Sequence, residues 1–432
     1  VPKNLETEVR KELDDSSARP GFFSILLPGL LVAATGVGAG DLATASFTGS
    51  QLGVGILWAV LVGSFFKFVL TEGLARFQLA SGATLLEGVA LKFGPMAGWI
   101  FLPYLLLWTF FVGAALMGAC GVTLHAMLPV FEDAAHGKII FGIGASLVGL
   151  ALVWIGGFAL FEKIMSASIF FMFFTVLATA YMLWPGTQPI LNGLFLPKAS
   201  QLVGEGLTWT IALIGGIGGT LTMLCYGYWI REHGRLGADK IGNMRIDLGV
   251  GYLMTALFGI SMVIIGSTIQ IEGRGAGLLV TLADRLQEPL GIWGRWAFLI
   301  GAFGAVFSSL LGVWQSVPYI FADLWRLFLR PGSTAINDEW TSVQLRSTTA
   351  YKIYLVGIAT LPMIGLFYGF KDIQKYYAVI GALFVPLLAL ILLILNHNHK
   401  LLKTHANGKW SAIALLLTLS FFAYTAWLKL AG

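Results

Sequence analysis

Apolar stretches of about 20 residues recur along this chain, and nothing else in it limits the fold so tightly. Wound as a helix, such a stretch matches the roughly 30 Å hydrocarbon core of a bilayer. The stretches are continuous rather than alternating, which argues against a lipid-facing β-barrel. Composition agrees. Of 432 residues, 57% are hydrophobic and 11% charged, and the mean hydropathy is +0.81. Soluble domains carry about 25% charged residues, so the solvent for this surface is lipid. Eleven spans are expected, at 23–52, 53–78, 96–128, 138–160, 164–184, 206–229, 247–269, 293–321, 350–369, 376–396 and 411–430. The class is all-α integral membrane. Segment 1–20 is polar, has no apolar centre, and reads as a cytoplasmic tail rather than a signal peptide.

The formal net charge of +5 belongs to loops and does not signal a nucleic-acid partner. With the N-terminus inside, the cytoplasmic segments hold Lys3, Arg10, Lys11 and Arg19; Arg76 and Lys92; Arg231, Arg235, Lys240 and Arg245; Arg326, Arg330 and Arg346; and Lys400, Lys403 and Lys409. The opposite segments hold fewer, such as Lys138, Lys198, Arg274 and Lys371, diluted by Glu132, Asp133, Glu272 and Asp284. That bias predicts a cytoplasmic-membrane protein with its N-terminus in and its C-terminus out. Cys120 and Cys225 both lie in apolar segments, so no disulfide framework is expected.

Two spans share a weakness. The first contains Gly36-Val37-Gly38-Ala39-Gly40-Asp41, and the sixth contains Gly215-Gly216-Ile217-Gly218-Gly219 followed by Thr220 to Gly227. Each Gly costs about 1 kcal/mol against Ala inside a helix, so both spans are predicted to be interrupted. They lie five spans apart. Glycine-interrupted helices at matching places in two halves mark inverted repeats around a mid-membrane site. The repeats are expected at 21–184 and 206–396, with 411–430 as an added eleventh helix. Opened backbone at that depth is tolerated only where protein or a cavity lines it, and its carbonyls are ready cation ligands.

Asp41 adds the negative charge. An ionisable group within a span is a functional candidate by default, and Asp41 also suits the N-cap of the half-helix that restarts after it. Carbonyls near Gly38 and Ala39 would join it, with Thr222, Met223 and Cys225 as the opposite wall. Small and soft residues there also suit ordinary helix contacts. On the second span, Glu72 and Arg76 have the i, i+4 spacing of a helical ion pair. Glu72, Arg76, Glu162 and Asp247 are read as gating or structural charges. Lys67 lies deeper, and the sequence offers no account of it. His397, His399 and His405 fall in a short basic loop, where solvation explains them better than a metal does. "GVGAG" lacks the preceding strand and further glycine of a dinucleotide loop. With no nucleophile–base pair, zinc spacing or phosphate loop, the chain is not expected to be an enzyme or to hold a cofactor.

The sequence resembles the Nramp family of divalent-metal transporters. The likeness is carried by "LPGLLVAATGVGAGDLATASFTGSQLGVGILWAVLVG", "LARFQLASGATLLEGVA", the Phe161-Glu162-Lys163 turn, Arg245-Ile246-Asp247 and "FSSLLG". It implies a LeuT-like fold with 5+5 inverted repeats and an eleventh helix. The departures fall at the chemistry. The family's Asp-Pro-Gly-Asn stands here as Gly38-Ala39-Gly40-Asp41. Its Met-Pro-His matches Thr222-Met223-Leu224, or Met223-Leu224-Cys225 after a one-residue shift, and the histidine is absent in both. The acids of its third helix match Val112 and Ala115, and a glutamine of its tenth helix matches Ala378.

A thioether favours soft transition ions, and weakening it relaxes that filter. One carboxylate with carbonyls and hydroxyls suits a hard cation that keeps several waters. The expectation is therefore a monomeric transporter in a lipid bilayer. It would move Mg²⁺ or Mn²⁺ by alternating access, with weak or no proton coupling. The alternative keeps the fold and carries a small organic solute, an amino acid or amine, possibly with Na⁺; Tyr226 and Trp229 would then line its pocket. A non-transporting receptor on the same scaffold is a third reading.

Overall fold

Helices make up nearly all of the chain that the computed structural model describes: residues 29–31, 33, 35–36, 38–234, 237–270, 275, 277–329 and 342–431. The expected tail 1–20, the start of the first span, and Arg235, Glu272, Arg274 and Arg330 lie outside them, as do the side chains of Ala39, Phe161 and Glu162.

Among the described residues, ten stretches are long and apolar enough to cross a membrane. One of them, Asp41–Ser81, carries both the end of the expected first span and all of the second. Within it, one helix ends at Leu52, Gly53 takes a φ of 64° that favours glycine, and the next helix starts at Leu57. Divided at Gly53, the ten stretches give eleven apolar segments, the fourth and fifth of which run along the one helix Ala134–Met182 rather than forming the two separate helices expected.

The second helix, Leu57–Ser81, stops at Gly82 in the left-handed conformation. A short helix, Leu85–Phe93, restarts with the cap that its sequence encodes. The Thr84 hydroxyl accepts from the Glu87 amide, and Glu87 in turn accepts from the Thr84 amide. The Phe161-Glu162-Lys163 segment, expected as a turn, is helical backbone within Ala134–Met182. No proline falls between Ala134 and Met182 to forbid it. Spans Ala134–Ile155 and Lys163–Met182 both lie in that segment, and both pack on the helix 291–328: Gly149 on Leu310, and Ser168 beside Gly304.

The sixth helix is interrupted where its glycines predict. A helix over Gly204–Gly216 ends, Gly218 and Gly219 take φ values of 68° and 81°, and helix resumes through Leu221–Leu224 into Cys225–Glu232. The first helix is disturbed more narrowly. The chain turns at Gly38 and widens into a π-helical turn over Ala39–Thr44 before ordinary helix returns at Ala45. Such π turns gather at functional sites.

Candidate functional site

The two interruptions meet backbone to backbone. A side chain on Gly36 would fall 2.7 Å from the Gly218 carbonyl carbon, so only glycine permits this approach. Gly38 is pressed against Ser309 of the eighth helix, whose hydroxyl donates to the Thr35 carbonyl at 2.8 Å. Ser309 belongs to "FSSLLG", so that motif clamps the disturbed first helix. Helix ten, Phe370–Ala382, closes another side: Gly381 abuts Thr220, and Ala382 abuts Gly215. From helix three, Trp108 donates its indole N–H to the Thr220 hydroxyl at 2.7 Å.

Asp41 lies at this junction with 0% of its surface exposed. Both its carboxylate oxygens accept from the Gly218 amide, at 3.1 and 3.2 Å. The acid therefore reaches across to the other broken helix rather than capping its own. The restarting helix has Thr44 at its N-cap with no side-chain cap. The phenols of Tyr252 and Tyr377 lie within electrostatic range of its charge.

Lys67 completes the junction. It is as buried as Asp41, at 0%. Its ammonium donates to the Gly215 carbonyl at 2.9 Å and to that of Gly219. Lys67 and Asp41 lie within electrostatic range but do not pair directly; Gly218 and Gly219 lie between them. The sequence placed Lys67 nine residues, about 13 Å of helix, from Arg76. Depth alone gave no partner for it. The missing signal was Gly63 one turn earlier, which lets helix two lie against Ile214 and Ile217 at the break.

The other expected site residues divide. The Thr222 hydroxyl lies against Gly219, at the break. The Gly38 carbonyl accepts from the Leu42 amide at 3.0 Å, so it is not free backbone. Met223 and Cys225 are both buried. Val112, Ala115 and Ala378 are all buried. One turn before Ala378, Gln374 donates to the Ala115 carbonyl at 3.0 Å, and its own buried amide oxygen has no partner. Tyr226 and Trp229 are buried, and their polar tips are engaged. The Tyr226 hydroxyl donates to Asp247 at 2.8 Å, and the Trp229 indole to Gln315 at 3.1 Å.

Two networks at helix ends gather many of the other charges. Glu72 accepts from Arg76 at 3.1 Å and Arg245 at 2.9 Å, while Arg76 also reaches the His405 carbonyl and Asn407. Arg326 bridges Glu87 at 2.8 Å and Asp323 at 2.7 Å; Asp323 also accepts from Tyr228, and Glu87 from Arg231. Asp247 accepts from the Gly29 amide at 2.8 Å, tying the start of helix one to helix seven. Among the described residues, no group of three or more His, Cys, Asp or Glu side chains is placed to hold a metal ion. A separate cavity of about 530 Å³, lined by Leu86, Phe101, Leu224 and Phe384 among others, is apolar, and Asp41 does not line it.

Two interrupted helices enclosing a buried acid in an all-helical membrane bundle define a LeuT-like transporter fold. The sequence model of the Natural resistance-associated macrophage protein-like (Nramp) family matches residues 29–431. The chain belongs to that family, whose members are transporters and not enzymes. Crystal structures of a manganese transporter from Eremococcus coleocola superpose with TM-scores up to 0.69 at 16% identity, covering 94% of this chain and 86% of that one. The structure of MhsT in complex with L-phenylalanine superposes with a TM-score of 0.60 at 17% identity, covering 93% and 97%. An uncharacterised protein of Pasteurella multocida (strain Pm70) is 22% identical over 317 residues, 71% of each chain. The metal transporter Nramp6.2 of Populus trichocarpa is 27% identical over 228 residues, 50% of this chain and 39% of that longer one.

Proposed function

We propose that this chain moves a divalent cation, Mg²⁺ or Mn²⁺, across the cytoplasmic membrane by alternating access, with Asp41 as its anionic ligand. One observation carries the reading: a fully buried carboxylate in the disturbed first helix faces the broken sixth helix. Unwound backbone and half-helix ends at such a junction are the usual cation ligands of this transporter architecture. Membership of the family supports a metal cargo, and so does the likeness to a manganese transporter and a plant metal transporter. Carboxylate, carbonyl and hydroxyl oxygens suit a hard ion. Met223, buried in the restarted sixth helix, is the soft donor on that side, and it favours a transition ion such as Mn²⁺ over Mg²⁺.

Repeats 21–184 and 206–396 are the halves that would rock about the site. Val112 and Ala115, standing where the family's third-helix acids would be, carry no proton, which supports weak or no proton coupling. The clustering of Arg76, Arg245, Arg231 and Arg326 at helix ends supports a cytoplasmic N-terminus. The protein acts as a monomer and needs no cofactor.

Lys67 favours a second reading. With its ammonium beside the single acid, the junction is already neutral, which suits a small organic solute such as an amino acid. Uptake into liposomes separates the two. Mn²⁺ or Mg²⁺ flux that Asp41→Asn abolishes supports the metal. Metal flux absent from the native protein, with amino-acid flux present, supports the solute.

A further inference from the structure

Lys67 occupies a position with a clear chemical meaning. Helix Gly204–Gly216 ends at the break, and the C-terminal end of a helix carries partial negative charge and unpaired carbonyls. Ends of this kind, with unwound carbonyls, coordinate cations in this architecture. Here the Gly215 and Gly219 carbonyls are filled by the Lys67 ammonium. Helix two is shaped to deliver it: a side chain on Gly63 would fall 3.1 Å from the Ile214 Cα. One turn from Lys67 on the same helix face, the buried Ser64 hydroxyl has no partner. A helical side chain leans toward its own N-terminus, so Ser64 is a ready acceptor for an ammonium leaving the break.

We propose that Lys67 is a tethered cation that fills the carbonyl shell of the empty carrier, and that the transported cation must displace it. The inference rests on the metal reading above. Lys67 and the cargo are alternative occupants, because a divalent ion and an ammonium repel each other beside a single carboxylate. Two consequences follow. Cargo affinity is held down by competition. The empty carrier can reorient, because its broken helices and Asp41 never face the membrane interior uncompensated.

The test uses the full chain, purified and reconstituted, as the native protein and as Lys67→Met, Lys67→Arg and Asp41→Asn. Lys67→Met keeps the stem and removes the charge. Its Mn²⁺ and Mg²⁺ dissociation constants by calorimetry should fall at least tenfold. Uptake of Mn²⁺ into empty vesicles should slow by at least tenfold, while exchange against internal Mn²⁺ persists. Lys67→Arg, which keeps the charge, should show no such gain in affinity. A folded Lys67→Met protein with native affinity and a native ratio of exchange to net uptake would show that Lys67 only braces the break, and would overturn the inference. Should Lys67→Met not fold, Lys67→Gln, which still donates to the carbonyls without charge, carries the same expectations.

The metal reading is judged separately, on Asp41→Asn in the native background. If native protein binds metal independently of Asp41, that reading falls whatever Lys67 does. If only Lys67→Met binds metal, and a Lys67→Met protein that also carries Asp41→Asn does not, the tethered cation is supported in its strongest form. If neither binds, both ideas fall.

Discussion

At one end of the bundle, Glu72, Glu87 and Asp323 meet arginines side chain to side chain, whereas at the helix breaks Asp41 and Lys67 meet only backbone. The first arrangement satisfies each charge with several directed partners: Arg326 alone bridges two carboxylates. Ion pairs of that kind specify geometry and are costly to leave half-made. The second holds each charge by one glycine amide or two glycine-rich carbonyls, ligands that a mobile ion can replace. Paired charges brace the helices, and backbone-held charges mark where something is exchanged.

The contrast predicts opposite phenotypes. Asp41→Asn should cost at least a hundredfold in metal flux yet leave the thermal melt close to native; a large loss of folding with residual flux would erase the distinction. Arg326→Met should do the reverse. Leaving Asp323 buried without its cation, and Glu87 with Arg231 alone, should cost about 3 kcal/mol or more of stability, while metal affinity measured at low temperature stays native. A smaller effect is expected from Gly218→Ala. Its φ of 68° strains any other residue by roughly 1–2 kcal/mol, and the new methyl would stand 3.1 Å from the Tyr252 ring. Flux should drop about tenfold, because the amide that holds Asp41 is displaced. An unchanged flux would mean that this amide plays no part.

Much of this arrangement was legible in the sequence, for identifiable reasons. Glycine runs weaken helices wherever they occur, so the break after Gly216 and the narrower disturbance that begins at Gly38 could be read from residue type alone. An acid inside an apolar span announces itself, and so did Asp41. Contacts between distant elements could not be read. Asp247 meets Gly29 across 218 positions, and Arg76 meets Asn407 across 331. Lys67 was visible as a buried charge, but its role depends on which neighbouring helix faces it, and periodicity does not say. Tyr226 and Trp229 looked like pocket walls because aromatics often are; their polar tips turn instead to Asp247 and Gln315. Gly38 looked like open backbone, yet its carbonyl accepts from the Leu42 amide four residues on, as in an ordinary helical turn.

The central claim is that the cation is held between the two broken helices by Asp41. Anomalous scattering from crystals soaked in Mn²⁺ tests it most directly. The account predicts a peak about 2.0–2.5 Å from an Asp41 oxygen, with the Lys67 ammonium withdrawn from Gly215 and Gly219. A peak elsewhere, for instance among His397, His399 and His405, with the Asp41 carboxylate still bound only to Gly218, would contradict it.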